Sequence, residues 1–247
     1  MIAAFVFSGY LLVNYFAEGQ TQSAKYDAIR EQIEPTPSAV SAAASGASTP
    51  ANASRASSGP TAYEKYEKLF AQNSDMVGWI KIDGTPVDYP VMQTDNNSFY
   101  LTHDFNKKYS LYGVPFVDAA CRLNPQSDNV IIYGHHMKNG QMFGALVNYA
   151  QKGYYLAHPV IEFDTRYGYG QYKIIAVFHT TPDKFPYHEF ISAENAAALD
   201  TFIGRCKAFQ YYDTGVTAVY GDKLLTLSTC EYSEPDGRLV IVAKKIR

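Results

Sequence analysis

The sequence predicts a mainly β protein, a closed or nearly closed barrel of eight strands decorated by helices. Eight short apolar runs fall at 77–82, 87–93, 114–119, 130–135, 160–165, 171–180, 223–230 and 239–245, each of strand length. Turn signals such as Asp83-Gly84, Asn124-Pro125 and Pro235-Asp236-Gly237 separate them. The 247 residues include 21 Tyr and 14 Phe, and aromatic side chains favour strands. No internal repeat is visible, so the runs must close on one another over long range rather than stack as a solenoid.

The elements follow in order. Residues 2–17 form an uncharged, mostly apolar run. As a helix its 16 residues reach roughly 24 Å at 1.5 Å per residue, against a hydrocarbon core of roughly 30 Å. It reads as a membrane anchor, with a cleaved signal peptide as the alternative. The expectation is therefore a single N-terminal pass at the cell membrane, with the rest of the chain extracellular. Residues 18–60 read as a linker in which 25–33 could form a short helix. Of the 26 residues from 35 to 60, 23 are Ala, Ser, Thr, Pro or Gly, which have little apolar surface to bury. The folded unit is expected over 61–247. It opens with a helix at 63–72, where Tyr63, Tyr66, Leu69 and Phe70 share helical spacing. Two further helical stretches interrupt the strands, 141–150 and 192–209, the latter with Ser192 as a plausible N-cap.

Composition narrows the function. Hydrophobic residues make up 47% and charged residues 18%, enough for a packed core. The net charge of −3 lacks the basic excess a nucleic-acid partner requires. Three cysteines, Cys121, Cys206 and Cys230, exclude both a disulfide scaffold and a four-cysteine zinc site. Cys206 sits inside the last helical stretch and reads as a small core residue. Cys230 differs, because it ends an apolar strand, Leu224 to Cys230, and polar residues follow at once. A thiol at a barrel rim is open to substrate.

A second strand, Val130 to His135, also ends on a titratable group, and His136 follows it. A thiol attacks as thiolate, and a nearby imidazolium both favours that form and can protonate a leaving amine. Gly134 allows close packing beside the histidine. His103, His158, His179 and His188 lie singly and read as ordinary surface or hydrogen-bonded side chains. Arg238 begins the last strand, where a hairpin would return it to Cys230, and a guanidinium suits a developing oxyanion. Adjacent His135 and His136 would point to opposite faces of a strand, which disfavours a metal site. No G-x-S-x-G elbow is present for a serine hydrolase.

These residues carry a resemblance. Thr226-Leu227-Ser228-Thr229-Cys230, with Arg238 eight positions on, resembles the active-site signature of the sortases, and Tyr133-Gly134-His135 resembles their histidine segment. Val77 to Ile82, Asp88-Tyr89-Pro90-Val91, Asp95-Asn96 through Tyr100-Leu101 and Met142-Phe143-Gly144 are similar to class B sortases. The resemblance spans about 61–247. The Asp-Pro-Trp or Asp-Pro-Phe lid of pilin-building class C sortases does not occur before the barrel.

The resemblance implies an eight-stranded sortase barrel with an N-terminal helical extension and a long helix between strands six and seven. It implies a cysteine transpeptidase at the surface of a Gram-positive bacterium, without cofactor or metal. Such an enzyme cleaves a C-terminal sorting motif of a secreted protein after threonine, of Asn-Pro-x-Thr type in class B. It passes the acyl group to an amine of the peptidoglycan precursor, lipid II. Cys230 then matches the nucleophile, His135 the general acid/base and Arg238 the oxyanion or substrate-orienting donor. Ser228 and Thr229 lie beside the substrate, and the backbone N–H after Cys230 serves the oxyanion. Asn97, Leu101, Tyr133, Thr181 and Glu231 carry over to the peptide groove. A thiol hydrolase, a pilin-polymerising sortase and a catalytically silent surface-binding domain are the alternative readings.

Overall fold

The computed structural model describes residues 18–33 and 61–247. Helix α1 covers residues 18–30 and α2 Ala62–Gln72. The strands are β1 (Met76–Lys81), β2 (Asp88–Met92), β3 (Phe116–Val117), β4 (Asn129–Tyr133), β5 (Val160–Thr165), β6 (Gln171–Thr180), β7 (Leu224–Cys230) and β8 (Arg238–Lys245). Helix α3 (Lys152–Ala157) precedes β5, and α4 (Ala196–Phe209) lies between β6 and β7. The strands close in the order β1-β2-β3-β4-β7-β8-β6-β5. The eight-strand barrel is as expected, and closure leaves no open edge.

One pairing positions the site. β4 and β7 are neighbours and parallel, from Asn129 opposite Leu224 to Tyr133 opposite Ser228. Parallel neighbours end at the same rim, so the residues after Tyr133 and Ser228 emerge together. β8 returns antiparallel to β7 with Arg238 opposite Cys230, and pairs on its other side with β6, where Arg238 faces Thr180. Inside, Ile80, Val91, Ile131, Phe163, Leu225 and Ile241 are fully or almost fully buried. α4 covers the outer face of β6 and β8 with Leu199, Phe202, Ile203 and Cys206.

The N-terminal region needs correction. α1 was expected as a short helix at 25–33 within a linker, but it begins earlier and packs on the barrel. Tyr26 and Ile29 are buried in the main core. Gln22 Nε2 donates to Ser110 Oγ at 2.9 Å, Lys25 meets Asp104 at 3.0 Å, and Tyr26 OH donates to Gly113 O at 3.1 Å. The polar look of the segment hid this, because Gln22 and Lys25 are spent on partners about 80 residues or more away. The run 35–60 lies outside the described residues. So does 2–17, on which the single membrane pass rested. That pass is also withdrawn: among the described residues no helix is long and apolar enough to cross a membrane, and the run 2–17 is itself short for one.

Three smaller differences have local causes. The N-cap of α4 is Asn195, whose side chain accepts from Ala198 N at 3.0 Å, rather than Ser192. The stretch 141–150 is a 3₁₀ turn over Gly144–Ala150. Met142 has φ +53, and a Cβ at Gly144 would lie 2.3 Å from Met137 O, so the chain enters too tightly curled to start an α-helix. The third run keeps only two paired residues, Phe116 and Val117, beyond which Asp118 still donates its N–H to Ile131 O at 2.9 Å.

Candidate active site

Cys230 ends β7 and His135 lies two residues past the end of β4. The strand pairing continues one step beyond Tyr133, where Gly134 N donates to Ser228 O at 3.2 Å. Gly134 is required here because a Cβ would lie 2.7 Å from the ring of Phe143. Phe143 in turn donates its N–H to His135 O at 3.0 Å. The histidine segment is therefore clamped from both sides.

An open groove of about 400 Å³ is lined by Asn97, Leu101, Phe116, Tyr133, Gly134, His135, Ser228, Thr229, Cys230 and Arg238. The three side chains singled out for chemistry thus share one concavity, and all three are half-buried. His135 Nε2 donates to Leu101 O at 2.7 Å. That bond assigns a proton to Nε2 and leaves Nδ1 as the ring nitrogen that exchanges one. Arg238 Nη1 donates to Gly237 O at 2.9 Å, which fixes the guanidinium while its remaining donors are open to other partners.

His136 lies apart from the groove. Its Nδ1 donates to Cys230 O at 2.9 Å, and its ring stacks on Tyr232 with centroids 5.2 Å apart. It is tied to the backbone of the cysteine rather than turned toward the thiol. Among the cysteines, burial pushes the Cys121 thiol up to about 12. Burial likewise raises that of Cys206, leaving Cys230 as the half-buried one.

The other expected groove residues divide. Asn97, Leu101, Tyr133, Ser228 and Thr229 line the groove. The Asn97 amide N–H and the Tyr133 hydroxyl are spent on a residue the sequence reading missed. Buried Asp118 accepts from Asn97 Nδ2 at 3.0 Å and Tyr133 OH at 2.9 Å on Oδ2, and from Ala120 N at 2.8 Å on Oδ1. Burial, then the Asp118 charge, raises the Tyr133 hydroxyl far above its ordinary value, so it stays a donor. Ser228 Oγ lies 2.6 Å from Tyr187 OH, and both are buried. Thr181 and Glu231 are not among the lining residues. Thr181 is buried and takes the Lys184 N–H at 3.3 Å. Glu231 turns to His179 and Ser233. One expectation is corrected: the backbone N–H after Cys230 is not free for an oxyanion, because Glu231 N donates to Gly237 O at 2.9 Å.

A closed barrel of this strand order, with a cysteine, a histidine and an arginine at one rim, defines a thiol-dependent acyl-transfer enzyme. The sortase domain pattern matches residues 80–246. The chain is 37% identical over 186 residues to Sortase B of Staphylococcus aureus, covering 74% of this chain and 75% of that protein. It is 36% identical over 177 residues to Sortase B of Listeria monocytogenes, covering 70% and 71%. The solved Staphylococcus aureus sortase B–substrate complex superimposes with a TM-score of 0.70 at 37% identity, over 74% of this chain and 85% of that one. A sortase B complexed with triglycine gives 0.77 at 30% identity, over 93% and 99%. The chain belongs to the sortase family, as a class B sortase and cysteine transpeptidase.

Proposed function

We propose that this sortase cleaves an Asn-Pro-x-Thr type motif after its threonine and transfers the acyl group to a cell-wall amine, that of lipid II. The observation that carries the chemistry is the convergence of Cys230, His135 and Arg238 on one groove from the ends of adjacent strands. The Cys230 thiolate attacks the threonine carbonyl, and its S–C bond forms as the carbonyl electrons move onto oxygen. Arg238 donates to that oxyanion, a task the Glu231 N–H does not share because it is bonded to Gly237 O. His135 Nδ1 delivers a proton to the departing amine while the Nε2 bond to Leu101 O holds the ring. The incoming amine then attacks the thioester, gives its proton to His135 and restores the thiolate. Asn97 and Tyr133, tied to Asp118, stiffen the groove wall beside the peptide. A solved sortase B with bound triglycine supports a glycine amine as acceptor.

The test is intact-protein mass spectrometry of the full chain with Asn-Pro-x-Thr and Leu-Pro-x-Thr peptides, with and without triglycine. An adduct on Cys230 with the first peptide, absent in Cys230→Ala and converted to a glycine-extended product, is expected. Adducts with the second peptide alone would overturn the motif. Water as the sole acceptor would replace the transferase with a hydrolase.

A further inference from the structure

The loop 231–237 joins Cys230 to Arg238, and most of it is exposed. Two bonds close it on itself, Glu231 N to Gly237 O at 2.9 Å and Gly237 N to Glu234 O at 3.1 Å. Two sides tie it to the rest of the molecule. Tyr232 stacks on His136. On the other side His179, near the end of β6, lies between two loop carboxylates. Its Nε2 is 3.1 Å from Glu231 Oε2 and its Nδ1 is 3.6 Å from Glu234 Oε1. Lys184 adds a second cation to Glu234 at 2.7 Å. Gly237 makes room for the ring, since a Cβ there would lie 2.9 Å from His179 Nε2.

The contact is one of close approach rather than of an aligned hydrogen bond. His179 Nε2 is buried and lacks hydrogen-bond alignment despite its nearness to Glu231. An ion pair tolerates such geometry, which a hydrogen bond does not. The Glu231 carboxyl reports the same field. Burial acts to raise it, but the Ser233 bonds and the charges of His179 and His136 hold it below its ordinary value.

We infer that His179 is a positioning residue for the reaction, whose pairing with Glu231 and Glu234 holds the loop 231–237 against β6 and keeps Cys230 and Arg238 in register. The inference rests on the reading of Cys230 and Arg238 as catalytic groups. It also gives Glu231 and Glu234 the task of anchoring the loop, in place of contact with the peptide.

The experiment compares the full chain with its His179→Gln, His179→Lys and Glu231→Gln/Glu234→Gln variants. Acylation by an Asn-Pro-x-Thr peptide is followed alongside hydrogen exchange of the Glu231 and Gly237 amides. His179→Gln should lower kcat about 10–10²-fold with KM little changed, as for a small misplacement of reacting groups. It should also speed exchange of both amides. His179→Lys, which supplies the charge without the ring, should recover most of both, and the doubly amidated loop should behave like His179→Gln. In an Arg238→Lys background His179→Gln should cost far less. Wild-type kcat in His179→Gln, a Lys variant as slow as Gln, or an undiminished loss beside Arg238→Lys would each overturn the inference. If the wild type forms no thioester at all, the catalytic reading fails by itself. Unchanged amide exchange in His179→Gln would then refute the loop anchor separately.

Discussion

Replacing Tyr26 tests whether the N-terminal helix is part of the catalytic machine. Tyr26 is 2% exposed, packs edge-on against Tyr89 with centroids 5.3 Å apart, and donates to Gly113 O. Two short routes lead from it to His135. Gly113, at φ +56, lies beside the carbonyls of Tyr100 and Leu101, where an added Cβ would come within 2.9 Å of Leu101 O, the acceptor of the His135 Nε2–H bond. On the other route Tyr89 OH accepts from Met142 N at 3.1 Å, and Met142 adjoins Phe143 under Gly134. Tyr26→Phe removes one hydroxyl and leaves a carbonyl unpaired, a loss of about 1–3 kcal/mol. Tyr26→Ala empties a buried aromatic site, at about 3–5 kcal/mol. At about 2–4 °C per kcal/mol, the Ala variant should melt roughly 6–20 °C below the wild type. Calorimetry and acylation kinetics at 25 °C, where both variants remain folded, check the two halves. The Phe variant should already slow acylation about threefold or more if the Leu101 carbonyl shifts by tenths of an ångström. An Ala variant that melts with the wild type would refute the packing. Wild-type kinetics in both variants would refute the coupling.

Other outcomes follow from single contacts. In the native chain an alkylating reagent should modify Cys230 alone, since burial raises the Cys121 and Cys206 thiols, and peptide mapping reads this directly. Cys230→Ala should abolish acylation, whereas Cys206→Ala should cost stability and leave the rate intact. Gly134→Ala, whose Cβ would strike Phe143, should lose about 1–3 kcal/mol in urea unfolding and more in activity. Asn195→Ala should cost about 1 kcal/mol through the α4 cap and leave kcat unchanged. In Asp128 the Lys223 bond outweighs burial and holds the carboxyl below its ordinary 3.8, and Asp75 is held low by Lys107 and Tyr100 although burial opposes it. Folded values below the unfolded ones mean stability that is full above about pH 4 and drains as pH falls through the folded values. The urea midpoint should fall in that window, and less steeply in Asp128→Asn.

Much of the site was legible because its residues stand at ends. Cys230 and His135 each close an apolar run, and a run that stops on a reactive side chain puts it at a rim whatever the topology. Arg238 was legible through the hairpin, since a Pro-Asp-Gly turn returns the chain beside its own start. The parallel pairing of β4 with β7 was not, because Tyr133 and Ser228 are 95 residues apart and a crossover connection leaves no local mark. Nor was α1, whose Gln22 and Lys25 look like solvent-facing residues until Ser110 and Asp104 are placed beside them. The deepest gap concerns backbone groups. Every residue but proline carries an N–H, so nothing in Glu231 tells that its own is spent on Gly237 O. That commitment alters the chemistry more than any side chain the reading missed. With the N–H engaged, the proposed mechanism leaves the oxyanion to Arg238, whose register is in turn inferred to depend on a loop held by His179. A histidine that looks ordinary in the sequence thereby gains leverage over the nucleophile from a strand away.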